Sequence, residues 1–306
     1  MDPLTDVLDH LATRSHVSSR LEVAADPWRI LFEAPDGVKF NVVLTGSCLL
    51  TVEGVPEPVR VQPGDCFLLT RSTAFVLASD LTAPAVLASS VFSHQVAGVA
   101  RHGTADVDAS FVAVGGGFSF SAPAARLLDA LPPVLHVPAG APEAASIAEV
   151  LATVAREVRE DLPGSTAVVE HLAVVMLVRM LRWHLAQGPG TPPGWLRGLA
   201  DPVVGRALTA LHGDPARRWT VAELARTCAV SRSTLSERFR TVVGSGPIEY
   251  LVGWRMEIAT QDLLRGDESV AAIGRRLGYA SESAFSTAYK RVRGGAPSHV
   301  RRGAIG

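Results

Sequence analysis

The chain has 306 residues, of which 47% are hydrophobic and 19% are charged, with a formal net charge of −1. This length and apolar content allow two domains with ordinary hydrophobic cores and argue against a disordered chain. Residues 1–200 hold 13 Lys and Arg against 20 Asp and Glu, whereas residues 201–306 hold 16 against 10. The basic C-terminal third indicates a polyanionic partner, although an ordinary solvated basic surface would also fit.

The three cysteines, Cys48, Cys66 and Cys228, form no CxxC pair and no Cys/His cluster. This indicates neither a disulfide framework nor a zinc site, and it suits a reducing compartment. The acidic start, MDPLTDVLDHLATR, has no apolar h-region and does not predict a secretory signal. The most apolar stretch, residues 167–186, contains charged side chains and predicts a buried helix rather than a membrane span. We therefore expect a cytoplasmic protein without membrane contact and without a cofactor.

The first 120 residues show a strand pattern. From Trp28 to about Phe120, short apolar runs alternate with turn signals such as APDG, EGVPEP and QPGD, which predicts a many-stranded antiparallel unit. Further on, residues 144–161 and 165–187 have helical periodicity, with LPGS as a breaker between them. The Pro/Gly-rich stretch at residues 188–194 is the best domain boundary.

The C-terminal third contains the same pattern twice. In the first copy, Thr220 is a suitable N-cap for a short helix, and after an AVS turn Ser231 caps a second helix with Leu235 and Phe239 inward. The second copy repeats the caps, core positions and turn at an offset of 49 residues and, after one inserted residue, of 50. The sequence thus predicts two helix-turn-helix units, at residues 220–243 and 269–292.

The outward faces of the second helix in each unit carry short polar and basic side chains, which suit base edges and phosphates. A solvated helix face is the alternative. A helix of about 18 residues between the units, about 27 Å long, would hold them on one side of DNA, about 34 Å apart. The predicted DNA-binding residues are Arg232, Ser233, Ser236, Glu237 and Arg240 in the first unit, and Glu282, Ser283, Ser286, Thr287 and Lys290 in the second.

Four segments, LARTCAVSRSTLSERFR, GSGPIEYLVGWRMEIATQDLL, VAAIGRRLGYASESAFSTAYKR and GGAPSHVRR, resemble the DNA-binding domain of the AraC/XylS family of bacterial transcription regulators. The resemblance covers residues 202–302. It implies an all-helical domain that binds double-stranded promoter or operator DNA, commonly as an activator with RNA polymerase as a partner. Gly274, where the family usually has Ala, and Val300, where it commonly has Tyr, depart from the pattern away from the predicted DNA-binding face.

Residues 40–77 resemble the cupin barrel that many members of this family use as a sensor domain. The resemblance lies in Gly46, Gly54, the PGD at residues 63–65 and the FLLTR that follows. It implies an enclosed pocket for a small-molecule effector. The candidate ligand-binding residues are Phe40, Asn41, Arg71 and Phe75.

These resemblances predict a two-domain α+β protein. Residues 1–187 form a cupin-like sensor domain that includes a helical segment at 144–187, residues 188–200 form a linker, and residues 201–306 form the DNA-binding domain. A catalytic cupin would place metal-binding His side chains where this chain has Asn41 and Ala74/Phe75, so no metal site and no enzyme activity are expected. A metal-dependent cupin enzyme and an effector-independent DNA binder are the alternatives.

Three features have two interpretations each. Cys48 and Cys66 are either a redox pair or two buried small side chains. The triple glycine at residues 115–117 lacks a following GK[ST], so it is a bulge or turn in a strand and not a phosphate loop. The apolar helical segment at 144–187 either mediates a homodimer or domain coupling, as the family resemblance implies, or packs against the barrel.

Overall fold

The computed structural model describes residues 2–10, 14–96, 98–104, 106–119, 131–160, 162–187 and 193–303. These residues form two compact units. One unit, of residues 14–119 and 131–187, consists of two β-sheets and three helices, and the other, of residues 2–10 and 193–303, is helical. The two-domain α+β architecture expected from the sequence is therefore present.

The β-rich unit contains eleven strands among its described residues. In chain order they are β1 (Arg14–Ala24), β2 (Arg29–Phe32), β3 (Val38–Thr45), β4 (Cys48–Val52), β5 (Val59–Val61), β6 (Cys66–Leu69), β7 (Phe75–Ala78), β8 (Ala85–Leu87), β9 (Val99–Gly103), β10 (Phe111–Ser119) and β11 (Val134–Val137). The six-stranded sheet has the order β11-β6-β3-β10-β1-β9, and the five-stranded sheet has the order β5-β4-β7-β2-β8. Pairing is antiparallel except at the edge strands β9 and β8, which run parallel to β1 and β2. The prediction of an antiparallel unit was thus wrong at these two edges.

The two sheets share one hydrophobic core. Alternate side chains of each strand point to the same face, so one face of each sheet supplies this core. Val43, Phe67 and Phe111 come from the six-stranded sheet, and Ile30 and Leu50 from the five-stranded sheet. Among the described strands no pairing joins the two sheets, so the unit is a sandwich here and barrel closure stays a prediction.

The triple glycine lies inside β10. Gly115, Gly116 and Gly117 pair with β3 on one side and β1 on the other. The register with β1 shifts between Val17 and Ser19, directly opposite Gly116 and Gly115. The predicted placement of the glycines within a strand is confirmed, whereas the bulge itself lies in β1, the partner strand.

Three helices complete the β-rich unit: α2 (Ala88–Phe92), α3 (Pro142–Glu160) and α4 (Ser165–Ala186). Helix α4 packs against α3, β1 and β11, and the indole Nε1 of Trp183 donates a hydrogen bond to the carbonyl of His136 at 3.3 Å. Met176, Leu177 and Met180 are buried. Packing within the unit therefore accounts for much of the apolar surface of α4. No described helix is long and apolar enough to cross a membrane.

The helical unit begins with a helix from the start of the chain. Its helices are α1 (Pro3–His10), α5 (Trp195–Ala200), α6 (Val204–Gly213), α7 (Val221–Thr227), α8 (Arg232–Val243), α9 (Pro247–Arg265), α10 (Val270–Arg276), α11 (Glu282–Arg293) and α12 (Pro297–Gly303). Their core includes Leu208, Leu211, Leu224, Leu235 and Phe239.

Helix α1 joins this unit through a buried chain of hydrogen bonds. Nδ1 of His212 lies 2.7 Å from Oδ2 of Asp6, and Nε2 of His212 lies 2.7 Å from the hydroxyl of Tyr250. The sequence assigned residues 1–187 to the sensor domain and residues 188–200 to a linker. In the structure residues 3–10 pack with the helical unit and residues 195–200 are helical, while residues 188–192 lie outside the described residues. The division into domains stays a prediction.

Candidate nucleic-acid interface

Side-chain caps define the helices of the first helix-turn-helix unit. The hydroxyl of Thr220 accepts a hydrogen bond from the backbone N–H of Glu223 at 3.2 Å, and the Glu223 carboxylate accepts one from the N–H of Thr220 at 2.9 Å. Ser231 accepts from the N–H of Thr234 at 3.1 Å and starts α8. Each cap satisfies a backbone donor that the first helical turn leaves unpaired. Both predicted caps are confirmed.

The second unit repeats these caps. Ser269 accepts a hydrogen bond from the N–H of Ala272 at 3.2 Å and starts α10. Ser281, the predicted equivalent of Ser231, accepts from the N–H of Ala284 at 3.1 Å and starts α11. The predicted duplication is therefore present in the geometry of the helix starts.

The turn of each unit contains one left-handed residue, and the two residues are 49 positions apart. Ala229 has φ of 55° and Gly278 has φ of 85°. At Gly278 a Cβ would lie 2.0 Å from the carbonyl oxygen of Ala216, so a side chain does not fit there. In the first unit an alanine adopts this conformation, which is unfavourable for an L-residue by about 1–2 kcal/mol.

The packing between the two helices of each unit uses complementary residue sizes. In the first unit Ala225 and Leu235 belong to the same hydrophobic core, and the second unit has Gly274 and Phe285 at the equivalent positions. A Cβ on Gly274 would lie 2.9 Å from Cβ of Phe285. The departure from the family pattern at Gly274 thus allows Phe285 to pack closely against α10.

Helix α9 connects the two units and is held to the second one by polar contacts. Arg293, near the end of α11, forms an ion pair of 2.5 Å with Glu257, and both side chains are only 10% exposed. The hydroxyls of Thr260 and Tyr289 lie 2.8 Å apart and are buried. These contacts fix the orientation of α11 on α9.

A buried arginine of α9 holds the segment that precedes α7. The guanidinium of Arg255 donates hydrogen bonds to the carbonyls of Pro215 at 2.6 Å and Arg217 at 2.8 Å. Sequence analysis predicted only a connecting helix here and missed the buried polar contacts of Arg255 and Glu257. The available signal was the placement of these charged residues next to Trp254, Met256 and Ile258, which are all buried.

Helix α8 of the first unit is anchored by Asp201. Its carboxylate accepts hydrogen bonds from the N–H groups of Val203 and Val204, both at 2.9 Å, and from Nε of Arg238 on α8 at 2.8 Å. Burial alone raises the pKa of Asp201, but these donors lower it below its usual value. The ionised carboxylate therefore stabilises the position of α8.

The predicted DNA-binding residues lie on two equivalent surfaces. Eight of the ten are exposed, and the other two, Ser236 and Ser286, are half-buried at positions 50 residues apart. Each set follows the start of α8 or α11, where polar side chains are free to meet a ligand. The exposed residues are Arg232, Ser233, Glu237, Arg240, Glu282, Ser283, Thr287 and Lys290. Their role in DNA binding stays a prediction.

Basic side chains without a carboxylate partner accompany these surfaces. Arg238, Arg276 and Arg217 are ion-paired. In contrast, other exposed basic residues of the two units make no ion pair with any described residue. Two of them, Arg226 and Arg275, lie 49 positions apart and were not among the predicted DNA-binding residues. The full set is Arg226, Arg232, Arg240, Arg275, Lys290 and Arg291.

The predicted ligand-binding residues of the β-rich unit are not all brought together. Asn41 and Phe75 point into the sandwich, where the ring of Phe75 stacks on Phe32 at 4.4 Å. Phe40 lies on the opposite face of β3, with its ring 5.2 Å from that of Phe118. Arg71 lies apart from both, with its guanidinium donating to the carbonyl of Leu131 at 3.4 Å. The ligand assignment stays a prediction for each residue.

The two cysteines of the β-rich unit do not face each other. Cys48 points into the shared core, whereas Cys66 pairs with Val42 on the outer face of the six-stranded sheet. Burial raises the pKa of each thiol to about 12. Both cysteines are free, and their protonated state favours the interpretation as buried small side chains. Among the described residues no group of three or more His, Cys, Asp or Glu could hold a metal ion.

Comparison with known proteins agrees with both domains. A family model described as Cupin matches residues 2–186, and one described as Helix-turn-helix domain matches residues 224–303. Over 303 residues the chain is 51% identical to a protein of Streptomyces antibioticus named as an AraC-like transcription regulator, which covers 99% of both chains. It is also 27% identical over 311 residues to the HTH-type transcriptional regulator AlkR of Acinetobacter baylyi, again covering 99% of both. Among solved structures, ToxT of Vibrio cholerae covers 96% of this chain and 98% of that chain, with 14% identity and a TM-score of 0.37.

A β-rich cupin domain and two helix-turn-helix units in one chain define a class of DNA-binding transcription regulators. The matches extend along nearly the whole chain, and the relatives carry regulator names. The chain belongs to the AraC family of transcription regulators.

Proposed function

We propose that the protein binds one promoter or operator site through both helix-turn-helix units at once. The observation that carries this proposal is the pair of equivalent polar surfaces on α8 and α11, of which α11 is held on α9 by the buried ion pair of Glu257 with Arg293. A rigid pair of units doubles the number of base and phosphate contacts within one chain. The expected site therefore has two short boxes about 10 base pairs apart.

The same proposal gives the cupin-type domain the role of effector sensor. A small molecule bound there changes transcription only if it binds one domain arrangement more tightly than another. Activation, with RNA polymerase as a further partner, is the expected direction because it is the common behaviour of the family. The regulator names of the relatives support a protein without enzyme activity.

A homodimer through the segment at residues 144–187 is part of the proposal. Val168 and Val175 on α4 are each 40% exposed, and Leu162 just before α4 is 56% exposed. These side chains leave an apolar surface that a second copy of the chain would cover. Sedimentation of the purified protein gives the oligomeric state directly.

The test is selection of fragmented genomic DNA from the source organism by the purified full-length protein, followed by sequencing. We expect enrichment of a two-box motif. Ser236→Ala should change base preference in one box only, and Ser286→Ala should change it in the other only. Each variant is the control for the other, because the two serines occupy equivalent positions. A motif with one box, or the same box affected by both variants, would contradict simultaneous binding.

The role of an effector is tested by repeating the selection with and without cell extract metabolites. Selection of the same DNA fragments to the same extent under both conditions would favour the alternative of an effector-independent DNA binder. Metal bound at stoichiometric amounts to the purified protein, together with turnover of a substrate, would favour the cupin enzyme.

A further inference from the structure

A small polar cavity lies inside the otherwise apolar sandwich. Its free space is about 10 Å³, which is room for one water molecule. Polar side chains come from β3, and apolar groups come from β1, β2, β10 and α2. The lining residues are Leu21, Phe32, Lys39, Asn41, Phe92, Ala113 and Gly115.

Lys39 is an unusual residue for this chain. The sequence has 27 arginines but two lysines, Lys39 and Lys290. Lys290 is exposed on α11, whereas Lys39 is half-buried and makes no ion pair with any described residue. Burial lowers the pKa of the Lys39 ammonium group. An ammonium group that burial partly removes from water, and that has no carboxylate partner among the described residues, would be stabilised by a bound anion.

Asn41 presents a second donor to the same cavity. The side chain is 5% exposed, and its Nδ2 is buried without an acceptor among the described residues. Buried amide donors are nearly always hydrogen-bonded in folded proteins, so an unsatisfied one calls for an explanation. Lys39 and Asn41 are two residues apart on β3 and point to the same face, as Val43 does further along.

Gly115 makes the position of the Asn41 amide possible. A Cβ at residue 115 would lie 2.6 Å from Oδ1 of Asn41. The backbone there is ordinary extended strand without a positive φ, so the need for glycine is steric rather than conformational. The strand next to β3 thus leaves space for two donors that point at the same volume.

We propose that Lys39 and Asn41 bind the carboxylate of a small organic acid, whose apolar part packs against Leu21, Phe32 and Phe92. One ammonium group and one amide N–H match the charge and acceptors of a monoanion, and the cavity lining contains no second cation for a dianion. The proposal that this acid is the effector rests on the proposed function above.

An acid larger than one water needs additional space. Phe92 is the side chain that can supply it, because it lies at the end of the five-residue helix α2 and is half-buried. Its ring meets that of Phe32 edge-on, with centroids 6.1 Å apart. Binding therefore requires Phe92 to turn away from Phe32.

The test uses the two-lysine composition. Full-length protein labelled with ¹³C and ¹⁵N in lysine gives side-chain NMR signals from Lys39 and Lys290 alone, provided that any purification tag contains no lysine. The probes are acetate, butyrate and benzoate, each compared with its neutral amide at millimolar concentration. We expect at least one acid to shift the Lys39 signal saturably, with no effect of its amide and no change at Lys290.

Two variants sharpen the result. Lys39→Met identifies the Lys39 signal, and it should weaken acid binding about tenfold or more, as measured by calorimetry, because a charged hydrogen bond is lost. Gly115→Ala keeps the lysine but displaces the Asn41 amide, and it should weaken binding by a smaller factor. The proposal is overturned if no acid shifts the Lys39 signal, if amides shift it equally, or if Lys39 titrates like Lys290.

These outcomes are separate from those of the proposed function, because the NMR experiment contains no DNA. If an acid binds at Lys39 but leaves DNA affinity unchanged, the acid is not the effector. If the protein selects no DNA, the proposed function fails while the carboxylate site is still judged by the NMR result alone.

Discussion

Removing one partner of the buried ion pair between Glu257 and Arg293 should destabilise the helical unit strongly. Each side chain is 10% exposed and the charged atoms are 2.5 Å apart, so either single substitution removes the opposite charge that faces the remaining buried group. Such a loss costs about 3 kcal/mol, the lower end of the range for buried pairs, because both groups keep some contact with water. For a unit of this size, the melting temperature should fall by roughly 10 °C.

The assay is a double-mutant cycle by scanning calorimetry of the full chain, with Glu257→Met, Arg293→Met and the double variant. The double variant should recover a large part of the lost stability, because two apolar side chains replace the pair without leaving a charge. Arg276→Met is the matched control, since Arg276 is 45% exposed in its pair with Asp262 and its loss should cost less than about 1 kcal/mol. Additive effects of the two single substitutions, or losses as small as in the control, would refute the reasoning.

Four further outcomes are expected. Arg232→Ala should weaken operator binding and reduce the slope of log affinity against log salt by about 0.9, measured by fluorescence anisotropy across a salt series; an unchanged slope means that Arg232 contacts no phosphate. Ala229→Gly should stabilise the helical unit by about 0.5–1 kcal/mol in urea unfolding, because relief of the left-handed conformation exceeds the entropy cost of glycine. Gly274→Ala should destabilise it by about 1–3 kcal/mol in urea unfolding, because the new Cβ would clash with Cβ and Cγ of Phe285; an unchanged urea midpoint would contradict this close packing. The stability that the lowered pKa of Asp201 contributes is present above about pH 4 and is lost as the pH falls through that lowered value, so Asp201→Asn should give a shallower loss of stability in acid.

Local signals in the sequence were sufficient for the helix-turn-helix units. Thr220 and Ser231 each precede a helical pattern, and a cap interacts with the backbone only three residues further on. Such contacts are encoded within one short segment and repeat in the second copy. The predicted helix starts therefore agree with the structure.

Contacts between distant segments could not be predicted in the same way. The roles of Arg255 and Glu257 were missed, because their partners lie about 40 residues away in the sequence. In the β-rich unit, resemblance indicated a segment of β3 but not the face of each residue. Successive side chains of a strand point to opposite faces of the sheet, so Asn41 points inward and its neighbour Phe40 does not.

The membership of α1 in the helical unit has a consequence for proteolysis. Helix α1 stands at the start of the chain, and residues 14–119 and 131–187 of the β-rich unit separate it in sequence from the other described helices of the helical unit. A single cut at residues 188–192 would leave α1 attached covalently to the β-rich fragment and bound non-covalently to the C-terminal fragment through Asp6. The two fragments would then be expected to co-purify, and a C-terminal fragment alone would expose a histidine and a tyrosine that the intact protein keeps buried against that helix.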